Sequence, residues 1–384
     1  MKRAVVWMMI LTFTLMMFPV TAGAVELDAA GKGAVLMDAA TGTVLYEKNA
    51  HEKLSPASVT KVMTMLLIME AIDSGKIRWE DTVTASEAAS AKGGSQIYLK
   101  VGETMTVQDL VKSIAVSSAN DAACAMAEHL AGSEPAFVDM MNHRAEELGM
   151  TDTHFVNCTG LDDAPEAKAH LTSAYDIALM SRELLTHHPD IKKYTTIWMD
   201  TVRDGTLGLS NTNKMVRFYD GCTGLKTGYT SGAGFCLSAS AQRDGMELIA
   251  VVLGCETSQE RFAACKSMLD YGFANFALIT PDAAQNQTVS VRLGTSESVR
   301  AVPGEAVRLL IDKAQRNAVT TEVTLEESVP APISQGQRIG TLTVRAGDQI
   351  LAQIPMVAAD GVPRLTFPDL FLLVLKSLVM GSER

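Results

Sequence analysis

Apolar and polar residues are spaced in different patterns along the chain, and these patterns predict its elements. Residues 35–38 and 43–46 are mainly apolar runs on either side of an Ala-Thr-Gly turn, which predicts two strands. Apolar residues then recur at helical spacing until about residue 185, and a strand pattern follows residue 224. We expect helices at about 57–73, 107–118, 121–130, 171–185 and 258–277, and strands at 225–229, 234–241 and 246–254. Helices inserted between the early strands and a later meander predict an α/β sandwich with an antiparallel sheet.

The sequence also predicts an apolar stripe on one of these helices and an N-cap on another. In the helix at 57–73, Val62, Met65, Leu66 and Met69 are spaced to form one apolar stripe. At the start of the helix at 171–185, Thr172 is the expected N-cap, because its hydroxyl can accept a hydrogen bond from a free backbone N–H.

The last hundred residues have a different texture. Short alternating runs separated by Gly and Pro predict a small all-β domain, a β-sandwich, over 285–359. Residues 366–381 predict a C-terminal amphipathic helix that starts at Pro368 and carries Asp369 and Lys376 on one face. Its apolar core is about half the length of a spanning helix, so we interpret it as an anchor at a membrane surface. The alternative is a helix packed on the β domain or on another subunit.

The N-terminal residues resemble an export signal. Lys2 and Arg3 precede an apolar run over 4–20, and Ala22-Gly23-Ala24 fits a cleavage site. We therefore expect a signal peptide over 1–24, followed by a first domain over 25–280. An uncleaved membrane anchor is the alternative.

Composition narrows the classes of partner and cofactor. The net charge of −11 argues against nucleic acid as a partner. Six cysteines in an exported chain permit disulfides, with Cys255 and Cys265 the first pair to test, but none has C-x-x-C spacing. The seven histidines lack a metal-ligand spacing, so we expect no metal and no cofactor.

The candidate chemistry centres on Ser58 and Lys61, which lie three positions apart at the start of a predicted helix. This spacing brings an amine to the serine hydroxyl, which needs a base before it can act as a nucleophile. Burial or a neighbouring positive charge would lower the pKa of the amine, and Lys226 is the candidate neighbour. Backbone N–H groups at the helix start favour a developing oxyanion at Ser58.

Two further motifs follow in order, Ser118-Ala119-Asn120 and Lys226-Thr227-Gly228. Each is weak alone, since such tripeptides occur in ordinary helix caps and strand ends. Together with Ser-x-x-Lys they form one known catalytic group for acyl transfer. The sequence therefore predicts a serine acyl-transfer enzyme whose base is a lysine.

These motifs, with residues 155–162 and 224–230, make the chain resemble the low-molecular-mass penicillin-binding proteins, serine-type D-alanyl-D-alanine carboxypeptidases. The resemblance implies that Ser58 is acylated, that Lys61 is its base, that Ser118 relays a proton and that Asn120 holds the peptide amide. It further implies an oxyanion hole from the backbone N–H groups of Ser58 and Tyr229. Substrate binding is assigned by the same resemblance to Lys226, Thr227, Gly228, Tyr229, Thr230 and Arg261. Cys158 departs from the family, which commonly has proline there.

By the same resemblance, the substrate is a peptidoglycan stem peptide ending in D-Ala-D-Ala, and β-lactams are covalent inhibitors. The expected location is the outer face of the cytoplasmic membrane, with the C-terminal helix on the membrane surface. A β-lactamase of the same superfamily is one alternative, although Glu166 lacks the E-x-x-L-N context of that class. An inactive wall-binding scaffold is the other.

Overall fold

The computed structural model describes residues 27–282, 287–305 and 307–380. The predicted signal peptide over 1–24 and the expected start of the β domain at 285 lie outside these residues. The strands are β1 Gly33–Asp38, β2 Val44–Lys48, β3 Thr82–Thr84, β4 Thr104–Thr106, β5 Met199–Val202, β6 Leu207–Ser210, β7 Cys222–Thr230, β8 Gly234–Arg243, β9 Met246–Cys255, β10 Phe276–Ile279, β11 Thr288–Arg292, β12 Ser298–Pro303, β13 Leu309–Asp312, β14 Val319–Leu325, β15 Ser328–Pro330, β16 Arg338–Ala346 and β17 Gln349–Ala358.

The helices are concentrated between β2 and β7. They are α1 Lys61–Asp73, α2 Glu87–Ser90, α3 Val107–Ser117, α4 Asn120–Ala131, α5 Glu134–Glu147, α6 Ala174–His187, α7 Lys192–Thr195, α8 Met215–Phe218, α9 Ser258–Asn275 and α10 Phe367–Met380. Short 3₁₀ turns span Ala57–Thr60, Pro165–Ala169, Pro189–Ile191 and Lys313–Ala318.

A five-stranded antiparallel sheet in the order β2-β1-β9-β8-β7 forms the centre of the first region. The strands β7, β8 and β9 are a meander, as predicted, and β9 pairs with β1 rather than continuing outward. One face of the sheet packs on the helical layer that contains α1 and α6, and the other face packs on α9. Because both faces are covered, every residue of β1 is buried. The predicted α/β sandwich is confirmed.

Helix α5 and the short helices α2, α7 and α8 were not predicted, and the predicted helices differ from the structure in three details. Residues of α1 are buried on nearly every side, including Met63 and Ile68, so the predicted single stripe is wrong. The N-cap of α6 is Ser173, whose hydroxyl accepts from the Asp176 N–H. Thr172 instead pairs with Leu54 through its backbone. Helix α9 ends at Asn275, and its predicted last residues form β10.

The C-terminal region is all β, as predicted. A six-stranded sheet has the order β14-β16-β17-β12-β11-β15, and β10 pairs with β13 in a separate two-stranded sheet. Its own apolar core includes Val299, Leu342, Val344 and Met356. Helix α10 follows, and among the described residues no helix is long and apolar enough to cross a membrane.

Candidate active site

The segment before α1 holds Ser58 in a tight turn at the edge of the sheet. Ala57 has a φ of 47°, a left-handed conformation that costs a residue with a side chain about 1–2 kcal/mol. The Ala57 carbonyl accepts a hydrogen bond from Thr60 Oγ1 at 2.8 Å, which stabilises this turn. Ser58 is half-buried, while Ala57, Val59 and Thr60 are buried. The turn therefore presents the Ser58 hydroxyl to solvent and fixes the backbone around it.

Lys61 reaches back to Ser58, as the spacing predicted. Its Nζ lies 2.9 Å from Ser58 Oγ and donates to the Thr159 carbonyl at 2.8 Å. The side chain is fully buried, and burial lowers the pKa of the amine to about 7, with Cys158 and the Asp121 carboxylate acting in the opposite direction. A large fraction of Lys61 is therefore neutral near neutral pH. Of the two causes that we expected for this lowered pKa, burial is the main one, and the positive charge of Lys226 is not among the causes.

Two glycines let other segments approach this turn closely. A Cβ on Gly228 in β7 would lie 2.6 Å from the Pro56 carbonyl oxygen and 3.1 Å from Ser58 N. A Cβ on Gly160, whose φ is +80°, would lie 1.8 Å from the Ala57 carbonyl oxygen. Only glycine fits either position, so β7 and the 157–161 loop pack directly on the nucleophile turn.

Lys226 and Thr227 of β7 form the cationic side of the site. Lys226 is 1 % exposed, and its Nζ donates to the Thr227 carbonyl at 2.8 Å. Burial, followed by the nearby charges of Lys61 and Arg261, holds the pKa of Lys226 well below its usual range. Thr227 Oγ1 donates to Thr212 Oγ1 at 2.7 Å.

Ser118 and Asn120 lie where two helices meet. Ser118 ends α3 with a φ of 63°, and Asn120 begins α4. Asn120 Nδ2 donates to the Gly93 carbonyl at 2.7 Å, whereas its buried Oδ1 has no hydrogen-bond partner among the described residues. An unpaired buried carbonyl oxygen costs free energy, so Oδ1 is available to accept a ligand's N–H.

Arg261 extends from α9 to the far end of β7. Its guanidinium donates to the carbonyls of Gly228 at 2.9 Å and Cys236 at 3.3 Å, between the rings of Phe235 and Phe262. In this arrangement the side chain braces the paired strands β7 and β8. Tyr229 is exposed, with its ring 4.3 Å from that of Phe235. Thr230 Oγ1 accepts from the Ala233 N–H.

The structure adds three groups that the sequence analysis did not select. His170 Nε2 lies 2.7 Å from Thr60 Oγ1, and burial lowers the pKa of His170 to about 4. Glu134 accepts from the Cys158 N–H at 3.2 Å and from Lys92 Nζ at 2.5 Å, beside the Thr159 carbonyl that contacts Lys61. The third group is Thr212, whose hydroxyl accepts the hydrogen bond from Thr227. None belongs to a recognised motif, so the sequence carried no local signal for them.

The remaining candidates from the sequence are Glu166 and the cysteines. Glu166, the candidate for a lactamase-type base, is exposed on the Pro165–Ala169 turn. All six cysteines are free thiols, including Cys255 and Cys265, and five of them are buried. The arrangement that remains is a serine hydroxyl with a partly neutral amine as its base, beside a buried lysine suited to an anion. Such an arrangement supports acyl transfer from a substrate that carries a carboxylate.

Two family models match the chain. The model described as D-alanyl-D-alanine carboxypeptidase matches residues 20–257. A second, described as the C-terminal domain of penicillin-binding protein 5, matches residues 273–364. The first contains all the candidate active-site residues except Arg261, and the second covers nearly all of the β-rich region.

Individual relatives agree with these models. D-alanyl-D-alanine carboxypeptidase DacF of Bacillus subtilis is 44% identical over 349 residues, which are 89% of this chain and 88% of that protein. The crystal structure of penicillin binding protein 5 from Haemophilus influenzae is 30% identical, with a TM-score of 0.76, over 89% of this chain and 100% of that one. The ampicillin-bound penicillin-binding protein D2 from Listeria monocytogenes is 31% identical, with a TM-score of 0.59, over 65% of this chain and 99% of that one.

Proposed function

Because the chain belongs to the D-alanyl-D-alanine carboxypeptidase family, we propose that it removes the terminal D-alanine of peptidoglycan stem peptides through an acyl-enzyme on Ser58. One observation carries the assignment of roles. The Lys61 amine lies 2.9 Å from Ser58 Oγ, and its pKa is lowered to about 7, so a neutral base is in contact with the nucleophile.

The proposed reaction has two stages. Lys61 takes the hydroxyl proton as Ser58 Oγ attacks the carbonyl carbon of the penultimate D-alanine, and the backbone N–H groups of Ser58 and Tyr229 stabilise the oxyanion. The C–N bond then breaks, and Ser118 passes a proton to the nitrogen of the departing D-alanine. Water next hydrolyses the Ser58 ester, which releases the shortened peptide and restores the serine.

Substrate binding is assigned to the residues around β7. Asn120 Oδ1, buried and unpartnered, accepts from a peptide N–H of the substrate. The terminal carboxylate lies beside Lys226 and Thr227, where its charge and that of Lys226 stabilise each other. Gly228 allows the close approach of the strand, and Tyr229 and Thr230 line its outer end. The Arg261 guanidinium is held by hydrogen bonds to the carbonyls of Gly228 and Cys236, and from there it adds positive charge near the substrate carboxylate.

The direct experiment is to react the full chain with a labelled penicillin and locate the adduct by mass spectrometry. We expect one adduct, on Ser58, with a lifetime of minutes or longer, and free D-alanine released from a stem pentapeptide. Ser58→Ala should abolish both, whereas Ser74→Ala, at the other end of α1, should retain both. Rapid hydrolysis of the penicillin would indicate a β-lactamase, and the absence of any adduct would indicate an inactive scaffold.

The enzyme works in the bacterial cell envelope, where its substrate is found, and we propose that α10 holds it on the outer face of the cytoplasmic membrane. The support is exposure: Phe367, Phe371, Leu372, Val374 and Leu375 are between 46% and 81% exposed rather than packed on the β domain. A helix with such a surface partitions into a membrane interface. The signal peptide over 1–24, the catalytic domain over 25–280, the β domain over 285–359 and the helix over 366–381 complete the proposed organisation.

Vesicle sedimentation tests this placement. The full chain without residues 1–24 should sediment with phosphatidylglycerol vesicles, and a further deletion of residues 367–384 should leave it in solution while penicillin still acylates it. Leu372→Asp in the otherwise full chain should weaken sedimentation, and Leu293→Asp, the same change on an exposed leucine of the β domain, serves as the matched control. Sedimentation that survives the deletion would overturn the proposal.

A further inference from the structure

Thr212 lies between the two motifs that flank the predicted carboxylate position. Its backbone N–H donates to the Val116 carbonyl at 3.1 Å, two residues before Ser118. Its hydroxyl oxygen accepts from Thr227 Oγ1 at 2.7 Å. Thr212 therefore contacts both the end of α3 and strand β7.

The loop around Thr212 is fixed by its two neighbours. Asn211 is 5% exposed and its Nδ2 donates to the Ile197 carbonyl at 2.7 Å, while its Oδ1 accepts from the Asn213 N–H at 2.8 Å. Asn213 is fully buried, and its Nδ2 donates to the Gly224 carbonyl at the start of β7. Thr212 between them is only half-buried. Two buried amides thus hold one threonine toward the site.

The direction of the hydrogen bond matters. The Thr227 hydroxyl donates its hydrogen to Thr212. Within the described part of the chain, no acceptor takes the hydrogen of the Thr212 hydroxyl. Since the two oxygens are 2.7 Å apart, an anion that reaches Thr227 is also within reach of Thr212. A donor that is itself accepting a hydrogen bond is strengthened by it.

We propose that Thr212 donates its hydroxyl hydrogen to the terminal carboxylate of the substrate and so selects for chains with a free carboxyl end. The proposal rests on the proposed function, because it assumes that the carboxylate lies beside Thr227. In this arrangement Thr212 is the hydroxyl that donates to the anion, Thr227 polarises Thr212 through their hydrogen bond, and the buried Lys226 lies on the same strand as Thr227.

Acylation by matched β-lactams tests the proposal. The rate of adduct formation would be measured by intact-protein mass spectrometry, with a penicillin acid and with the methyl ester of the same penicillin. A lost hydrogen bond to a charged group corresponds to a decrease of about tenfold to hundredfold. We expect Thr212→Val to slow acylation by the acid by that factor and to change acylation by the ester less than twofold. Thr212→Ser should recover most of the lost rate.

The controls separate the outcomes. Thr206→Val, in the exposed β5–β6 turn, should change neither rate. Thr212→Ala removes the same hydroxyl with a smaller side chain, and thermal unfolding checks that each variant is folded. If the Thr212→Val change slows acylation by the penicillin acid and by its ester equally, the role of Thr212 is purely structural. If it leaves acylation by the acid unchanged, Thr212 has no role in this step. Either result overturns the proposal. If the unaltered chain is not acylated by either compound, the proposed function itself is wrong.

Discussion

The two large sheets differ in what they bury. Among the described residues, the region around the five-stranded sheet buries Lys61, Lys226, Asp121 and Arg261 within its interior. The described part of the six-stranded region buries aliphatic side chains, with Thr343 as its buried polar residue. Removing a charged group from water costs several kcal/mol unless it is paired or neutralised. In the first region this cost is the reason that Lys61 is partly neutral, which its role as a base requires. In the second region the buried side chains that the structure describes are uncharged, so no such cost arises.

The largest expected effect on catalysis comes from removing the buried base. Lys61→Ala should slow acylation of Ser58 by penicillin about 10²–10⁴-fold, because it removes the amine that contacts the Ser58 hydroxyl and takes its proton. Stopped-flow fluorescence with a chromogenic or fluorescent penicillin measures this rate. Lys76→Ala, an amine at the far end of α1, is the matched control. If Lys61→Ala leaves the acylation rate unchanged, the first region does not bury this amine for catalysis, and the contrast between the two regions is refuted.

An intermediate effect is expected from pH. The pKa of Lys61 is lowered to about 7, so its neutral form is depleted as pH falls through 7. Acylation should therefore decrease about tenfold per pH unit below that value and should rise no further above it. His170, with its pKa lowered to about 4, stays neutral in this range and does not produce the transition. The pH profile of acylation for the chain lacking residues 367–384 should superimpose on that of the full chain. A flat profile from pH 5 to 8 would contradict the assignment of Lys61 as the base.

The smallest effect on catalysis is expected from the packed region. Leu342→Ala empties part of a core in which Leu342 is 1% exposed, and should lower the free energy of unfolding of the β-rich region by about 2–5 kcal/mol. Acylation of Ser58 should change less than twofold. Urea unfolding followed by circular dichroism, with acylation measured on the same samples, checks both. A large loss of acylation would show that the two regions are coupled.

Long, periodic elements and the spaced motifs could be predicted from the sequence. The meander β7-β8-β9 and helices α3 and α4 match closely, and the predicted contact between Ser58 and Lys61 is present. Helix α5 was missed because its buried apolar residues are few, although Ser133 caps it and Pro135 follows at its start. Burial, one of the two expected causes, lowers the pKa of Lys61, but its extent depends on packing from distant segments that no local pattern describes.

Thr212 shows the same limit within the site. Its position depends on hydrogen bonds to α3 and β7, which lie far apart in sequence, and its flanking asparagines resemble those of any turn. A sequence reveals such a residue only after the fold has brought its partners together.

The burial of Lys226 has a consequence for calorimetry. Because burial and nearby cations disfavour its ammonium form, an anionic ligand that restores that form draws a proton from the buffer as it binds. The heat of association would then vary with the ionisation enthalpy of the buffer, and affinity for anions would weaken in alkaline solution. An uncharged ligand of the same shape would show neither dependence.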